Sequence, residues 1–117
     1  MPELRRLAFT LLALGAAVGT LAQEPDFDKV EVSTTKVAEG VFMLVGAGGN
    51  IGVSAGGDGV FLIDDQYAPL TPKIRAAVAA ISDKPIRFVV NTHWHGDHTG
   101  GNKDLGEAGV LIVAHEN

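Results

Sequence analysis

Hydrophobic positions in the first half of the chain form short runs separated by glycine-rich turns. The runs lie at residues 30–32, 41–45, 51–53 and 60–63. Short apolar or alternating runs between glycine and asparagine turns are typical of antiparallel strands. We interpret the glycines at 46–49 as turn residues, because the spacing of a phosphate-binding loop is absent. This part of the sequence predicts an antiparallel meander.

The pattern changes after residue 70 to one of alternating helices and strands. Thr71 precedes Pro72, so we expect Thr71 to be the N-cap and Pro72 the first helical residue. An apolar stripe at helical spacing predicts a helix that ends at residues 82–85. The stripe consists of Ile74, Ala77, Val78 and Ile81.

Three further segments follow that helix. The sequence predicts a strand at 86–90, a short helix at 101–107 and a strand at 110–113. Together with the run at 60–63, the order is strand, helix, strand, helix, strand, which predicts parallel pairing. The fold class is therefore α/β, an antiparallel meander followed by a βαβαβ unit.

The first 22 residues have the layout of a secretory signal peptide. Arg5 and Arg6 precede an apolar run from residue 7 to Ala22, where small residues predict cleavage. The run is shorter than the ~20 residues of a membrane span, although an uncleaved anchor stays the alternative. We expect a periplasmic or secreted protein with no membrane association after cleavage, and a flexible lead-in at residues 23–29.

Composition excludes some kinds of function. A formal net charge of −5 argues against a nucleic-acid-binding surface, which needs a basic patch. The chain contains no cysteine, so thiolate ligands and thiol nucleophiles are excluded within it.

Four potential metal ligands fall within six residues after the predicted strand at 86–90. They are His93, His95, Asp97 and His98. Residues two apart in an extended segment point the same way, so His93 and His95 can face one ion. Asp97 and His98 are better placed to hold a second ion or to orient a water. Imidazole and carboxylate suit zinc; the alternative is a solvated polar loop with no ligand role.

Asp64 follows another predicted strand of the parallel part. Since parallel strands bring their carboxyl ends to one edge, Asp64, the histidine loop and His115 are expected to gather there. We interpret Asp64 as a group that accepts a hydrogen bond from a ligand histidine; the alternative is a solvated turn acid. His115 is not included among the ligands. Trp94 is expected to pack on the sheet, and the alternative is that it lines the mouth of the cleft.

These residues resemble the metallo-β-lactamase superfamily of zinc hydrolases. The likeness rests on His93-x-His95-x-Asp97-His98 after an apolar strand and extends to residues 50–53, 60–64 and 99–102. It implies that residues 30–117 form the first half of an αββα sandwich. It also implies that His93 and His95 bind a first zinc ion, that Asp97 and His98 bind a second, and that Asp64 supports them.

The resemblance further implies metal-activated hydroxide attacking an ester, thioester, lactone or β-lactam type bond of a small molecule, with Asp97 orienting the water. Family members supply more ligands downstream of the position where this chain stops. We therefore expect that the sequence is truncated and that this half of the domain is inactive in isolation. Two alternatives stay open: a fragment that only binds zinc, and a chain that needs a partner polypeptide. The sequence leaves the oligomeric state undetermined.

Overall fold

The fold was analysed in a computed structural model that describes residues 23–116. The predicted signal peptide at residues 1–22 lies outside the described residues, as does Asn117. Among the residues described, no helix is long and apolar enough to cross a bilayer.

Six strands form one sheet in chain order, β1 to β6. The first four pair antiparallel, and β4, β5 and β6 pair parallel. The change of direction falls where helical segments first appear, so the predicted meander and βαβαβ unit are both confirmed. The strands are β1 (Ser33–Ala38), β2 (Val41–Val45), β3 (Ile51–Gly56), β4 (Gly59–Ile63), β5 (Ile86–Val90) and β6 (Leu111–Val113).

Helices cover one face of the sheet. Helix α1 (Thr71–Ile81) follows β4, and the short helices α2 (Gly96–Thr99) and α3 (Asn102–Glu107) follow β5. Their apolar side chains pack on alternate strand residues to form the core, and full burial of each such side chain contributes about 1.5–3 kcal/mol. The core comprises Leu44, Ile51, Val53, Val60, Leu62, Leu70, Ile74, Val78, Val89, Leu105 and Val110.

The opposite face of the sheet is also apolar, but it is open in the described part of the chain. Phe61 and Phe88 stack across β4 and β5 with ring centroids 4.3 Å apart. Around them Val41, Ile63, Val90, Leu111 and Val113 are 38–64% exposed. Strands that are apolar on both faces are typical of a sheet buried between two layers.

The strand predicted at residues 30–32 is wrong, since β1 begins at Ser33. Val30 and Val32 alternate because both pack against the core rather than in a ladder. Lys73 of α1 donates hydrogen bonds to the carbonyls of Phe27, Asp28 and Val30 at 2.7–2.9 Å. These bonds hold part of the 23–29 lead-in against α1.

The prediction that Thr71 is the N-cap of α1 is also wrong. A 3₁₀ turn at Ala68–Leu70 leads directly into the helix, and Leu70 already has helical dihedrals. Thr71 is therefore the first α-helical residue, and its buried hydroxyl makes no cap hydrogen bond.

Candidate metal centre

The candidate site lies where the parallel strands β4 and β5 end. The Asp64 N–H donates to the Val90 carbonyl at 2.9 Å, and the Asn91 N–H donates to Val113 at 2.9 Å. These bonds continue the sheet just past the strand ends and bring the residue after β4 beside the histidine loop. The expected gathering of Asp64 and the loop at one edge is therefore present.

Asp64 is the most heavily bonded acid of the site. Its carboxylate accepts three hydrogen bonds at 2.7 Å, from the Thr92 N–H, the Thr92 hydroxyl and His98 Nδ1. The residue is only 3% exposed. Burial opposes its ionisation, but the three hydrogen bonds outweigh burial and hold the pKa of Asp64 below its ordinary value.

These bonds fix which ring nitrogens of two histidines are protonated. An ionised carboxylate only accepts hydrogen bonds, so His98 Nδ1 carries the proton that it shares with Asp64. Thr92 gives its single hydroxyl hydrogen to Asp64 and therefore accepts from His93 Nδ1, 2.9 Å away. In its neutral form, each imidazole then presents an unprotonated Nε2, the form in which a histidine binds metal.

The spacing of the donor atoms fits zinc. Asp97 Oδ2 lies 3.5 Å from His98 Nε2. Two ligand atoms on one tetrahedral zinc, with bonds of about 2.0–2.2 Å, are separated by about 3.4 Å. The ring centroid of His93 lies 4.7 Å from that of His95 and 4.0 Å from that of His98. The four predicted ligands are therefore neighbours in space.

One metal-competent group is found among the described residues, and its membership differs from the predicted ligands. One donor atom from each of Asp64, His93 and His98 lies within 4.8 Å of the other two. Both carboxylate oxygens of Asp64 already accept hydrogen bonds, Oδ1 from the Thr92 N–H and Oδ2 from the Thr92 hydroxyl and His98. Because three hydrogen bonds already occupy this carboxylate, it is better suited to orient His98 than to bind an ion.

Asp65 lies next to Asp64 but has a different environment. It is 1% exposed, and its Oδ1 accepts a hydrogen bond of 2.9 Å from the Gly101 N–H just before α3. Its other oxygen has no partner. Burial raises the pKa of Asp65 to about 6, and the neighbouring Asp64 charge adds to the rise despite the bond from Gly101.

A cavity of about 430 Å³ opens beside the histidines. His93, Trp94, Thr99 and His115 are among its lining residues. The preferred packing role of Trp94 is wrong, because Trp94 is 80% exposed, and the residue instead lines the cavity, as the alternative had it. Its ring contacts only that of its neighbour His95 among the aromatic contacts described, with centroids 4.7 Å apart.

Sequence reasoning missed three kinds of residue in the site. Thr92 joins Asp64 to His93 and was signalled only by its place just before the first histidine. Gly48 and Gly49 contact Asp97 and His98, although their spacing indicated nothing beyond a turn. Gln66 bonds the carbonyl of Gly49, and no sequence pattern indicated this contact.

The sheet edge, its histidine cluster and the supporting carboxylate define an α/β protein with a candidate metal site. A model of the metallo-beta-lactamase superfamily matches residues 44–117. The chain belongs to this superfamily, and its sheet and helices match the first half of the family's domain.

Two curated relatives match parts of the chain. A hydroxyacylglutathione hydrolase of Erythrobacter litoralis is 57% identical over 30 residues, which is 25% of this chain and 12% of the relative. An atrochrysone carboxyl ACP thioesterase of Aspergillus chevalieri is 33% identical over 84 residues, which is 69% of this chain and 27% of the relative. The chain therefore spans about a quarter or less of these relatives.

Solved structures give the same family. The FIM-1 metallo-β-lactamase of Pseudomonas aeruginosa, in a mono-zinc form, is 29% identical with a TM-score of 0.66; the match covers 74% of this chain and 43% of that one. A metallo-β-lactamase of Erythrobacter litoralis is 32% identical with a TM-score of 0.63; the match covers 74% of this chain and 42% of that one.

Proposed function

We propose that the full-length protein is an exported zinc-dependent hydrolase. The observation that carries the proposal is the 3.5 Å separation of Asp97 Oδ2 and His98 Nε2, beside the rings of His93 and His95. Asp97 and His98 thus offer an oxygen and a nitrogen donor at the separation of two ligands on one zinc ion. Zinc, when bound, acidifies water and polarises a carbonyl group.

Each residue of the cluster has a proposed role. His93 and His95 bind one ion, and Asp97 and His98 bind a second. Asp64 and Thr92 orient the two rings that they bond and keep each Nε2 free of a proton. Asp97 also orients the reacting water, for which its 30% exposed side chain is accessible.

The proposed substrate is a small molecule with an ester, thioester, lactone or β-lactam type bond. The names of the relatives support a test of two of these classes first. One is called an ACP thioesterase, and the similar solved structures include metallo-β-lactamases. The apolar run before Ala22 supports export through a signal peptide.

The test is hydrolysis by the full-length protein. We expect turnover of at least one of the four bond classes, its loss with a chelator and its return with zinc. Asp97→Ala should reduce turnover strongly, whereas Asp83→Ala, an acid in the turn after α1, should leave it unchanged. Hydrolysis unaffected by metal removal would contradict the proposal, and unchanged hydrolysis in Asp97→Ala would contradict the role of Asp97.

A further inference from the structure

The loop between β2 and β3 lies directly against two of the proposed ligands. A Cβ atom on Gly49 would press on His98 Cε1 and lie 2.6 Å from Nε2. A Cβ atom on Gly48 would lie 2.6 Å from the Asp97 Cβ and 3.1 Å from Asp97 Oδ2. The two distances of 2.6 Å are shorter than the contacts that real Cβ atoms make. The loop can therefore lie against the two ligands only if residues 48 and 49 have no side chain.

Gly48 and Gly49 differ in why they need to be glycine. Gly48 has φ +75°, so a side chain there would be strained by the backbone as well as by Asp97. Gly49 is outside the left-handed region, and an alanine backbone is therefore allowed at this position. The contact with His98 is the obstacle to a side chain at Gly49.

A buried glutamine holds this loop in place. Gln66 is 1% exposed, and its Nε2 donates a hydrogen bond to the Gly49 carbonyl. Gln66 has φ +59° and Asp64 has φ +64°, both unusual for residues with side chains. The strained segment thus directs Asp64 to one side of His98 and Gln66 to the loop that contacts its ring.

We propose that Gly49 and Gln66 are positioning residues for His98. Asp64 holds Nδ1, and the Gly49 backbone, held by Gln66, limits where the rest of the ring can move. The ring is thereby fixed with Nε2 beside Asp97 Oδ2. The inference rests on the proposed metal site. It adds that the loop between β2 and β3, which lies outside the histidine motif, helps to position a ligand of that site.

The experiment compares Gly49→Ala, Gln66→Met and Gly57→Ala in the full-length protein. Gln66→Met keeps side-chain length but removes the donor. Gly57→Ala is the matched control, because a Cβ there would meet nothing within 4 Å. Zinc affinity is measured by chelator competition. The ligand field is measured by absorption of the cobalt-substituted protein. The ring nitrogen signals of His98 are recorded by ¹H–¹⁵N correlation in the metal-free protein.

We expect Gly49→Ala and Gln66→Met to weaken zinc binding at least about tenfold, the range for losing a group that orients a ligand. The His98 ring signals and the cobalt spectrum should change with them, and Gly57→Ala should match the wild type. Wild-type affinity, cobalt spectrum and ring signals in Gly49→Ala and Gln66→Met would overturn the inference and leave the metal site standing. A wild-type protein that binds no zinc would overturn both.

Discussion

The two sides of the histidine cluster are built differently. On one side, Asp64 is 4% and His98 19% exposed at the side chain, and the two are joined by a hydrogen bond of 2.7 Å. On the other side, His93 and His95 are exposed, and Trp94 between them is 80% exposed. His93 has a single described hydrogen bond, to Thr92, which itself bonds to Asp64.

This difference shows which part of the site the fold itself prepares. Burial and hydrogen bonds at the strand ends fix His98 before any ligand arrives, because its partners belong to the sheet edge. His93 and His95 lie on the loop and rely on Thr92 and on whatever they bind. The pre-ordered His98 side lowers the entropy cost of binding an ion, and the exposed side of His93 and His95 lets ligand and solvent reach the site.

The largest expected effect comes from removing the ligand on the buried side. His98→Ala should weaken zinc binding of the full-length protein by more than the roughly 100-fold upper range for losing an orienting group. Asp83→Ala, in the turn after α1, is the control. Isothermal titration with zinc checks this, and equal affinities in the two variants would show that His98 does not hold the ion.

The next effect is a pH dependence specific to the buried side. The pKa of Asp65 is about 6 in the folded protein and 3.8 for an ordinary aspartate in water, so the folded protein binds the proton more tightly than the unfolded chain. Stability should therefore fall as pH rises from about 4 to about 6 and then level off, a loss of about 3 kcal/mol at about 1.4 kcal/mol per unit. Asp65→Asn should lack this loss.

Urea unfolding of the metal-free full-length protein and of Asp65→Asn, at pH 4 and pH 7, measures this difference. Asparagine does not titrate. The wild-type change in unfolding free energy between the two pH values, minus the change in Asp65→Asn, is therefore the contribution of Asp65. A parallel pH dependence in the two proteins would show that Asp65 is not held in the environment described.

A smaller effect is expected from the group that orients His98. Asp64→Asn tolerates the left-handed backbone at this position but accepts fewer hydrogen bonds. We expect zinc affinity to fall by about 10–100-fold. Chelator competition measures it; a fall as large as that of His98→Ala would instead mark Asp64 as a ligand.

The smallest effect should come from the exposed side. Trp94→Ala removes a side chain that is 80% exposed, so stability should change by less than about 0.5 kcal/mol. Leu62→Ala, a fully buried core residue, is the contrasting variant and should cost about 2–5 kcal/mol. Thermal unfolding measures the stability of both variants. A loss in Trp94→Ala as large as that in Leu62→Ala would show that Trp94 is not exposed.

Much of the fold could be predicted because hydrophobic periodicity reports local geometry directly. The runs that became β2, β4 and β5 were located correctly, and so was the end of α1. The errors came from tertiary contacts. Val30 and Val32 alternate because they pack against the core beside Lys73, and α1 starts through a 3₁₀ turn that no capping pattern indicates.

The site divides in the same way. The histidine motif and the strand before it predicted which residues gather, since motif spacing is local. The orientation of His98 depends on Asp64, 34 positions earlier, and on the loop that Gln66 holds through Gly49. The order of the strands predicted the Asp64 contact, whereas no sequence pattern indicated the contacts of Gln66, Gly48 and Gly49. The ligand roles stay predictions.

The most direct test of this account is the protonation of His98 during a zinc titration of the full-length protein. Long-range ¹H–¹⁵N correlation reads both ring nitrogens of each histidine. The account predicts that His98 Nδ1 keeps its proton throughout, because it donates to Asp64, while Nε2 moves to the shift of a metal-bound nitrogen. Loss of the Nδ1 proton on zinc addition, or no change at Nε2, would contradict it.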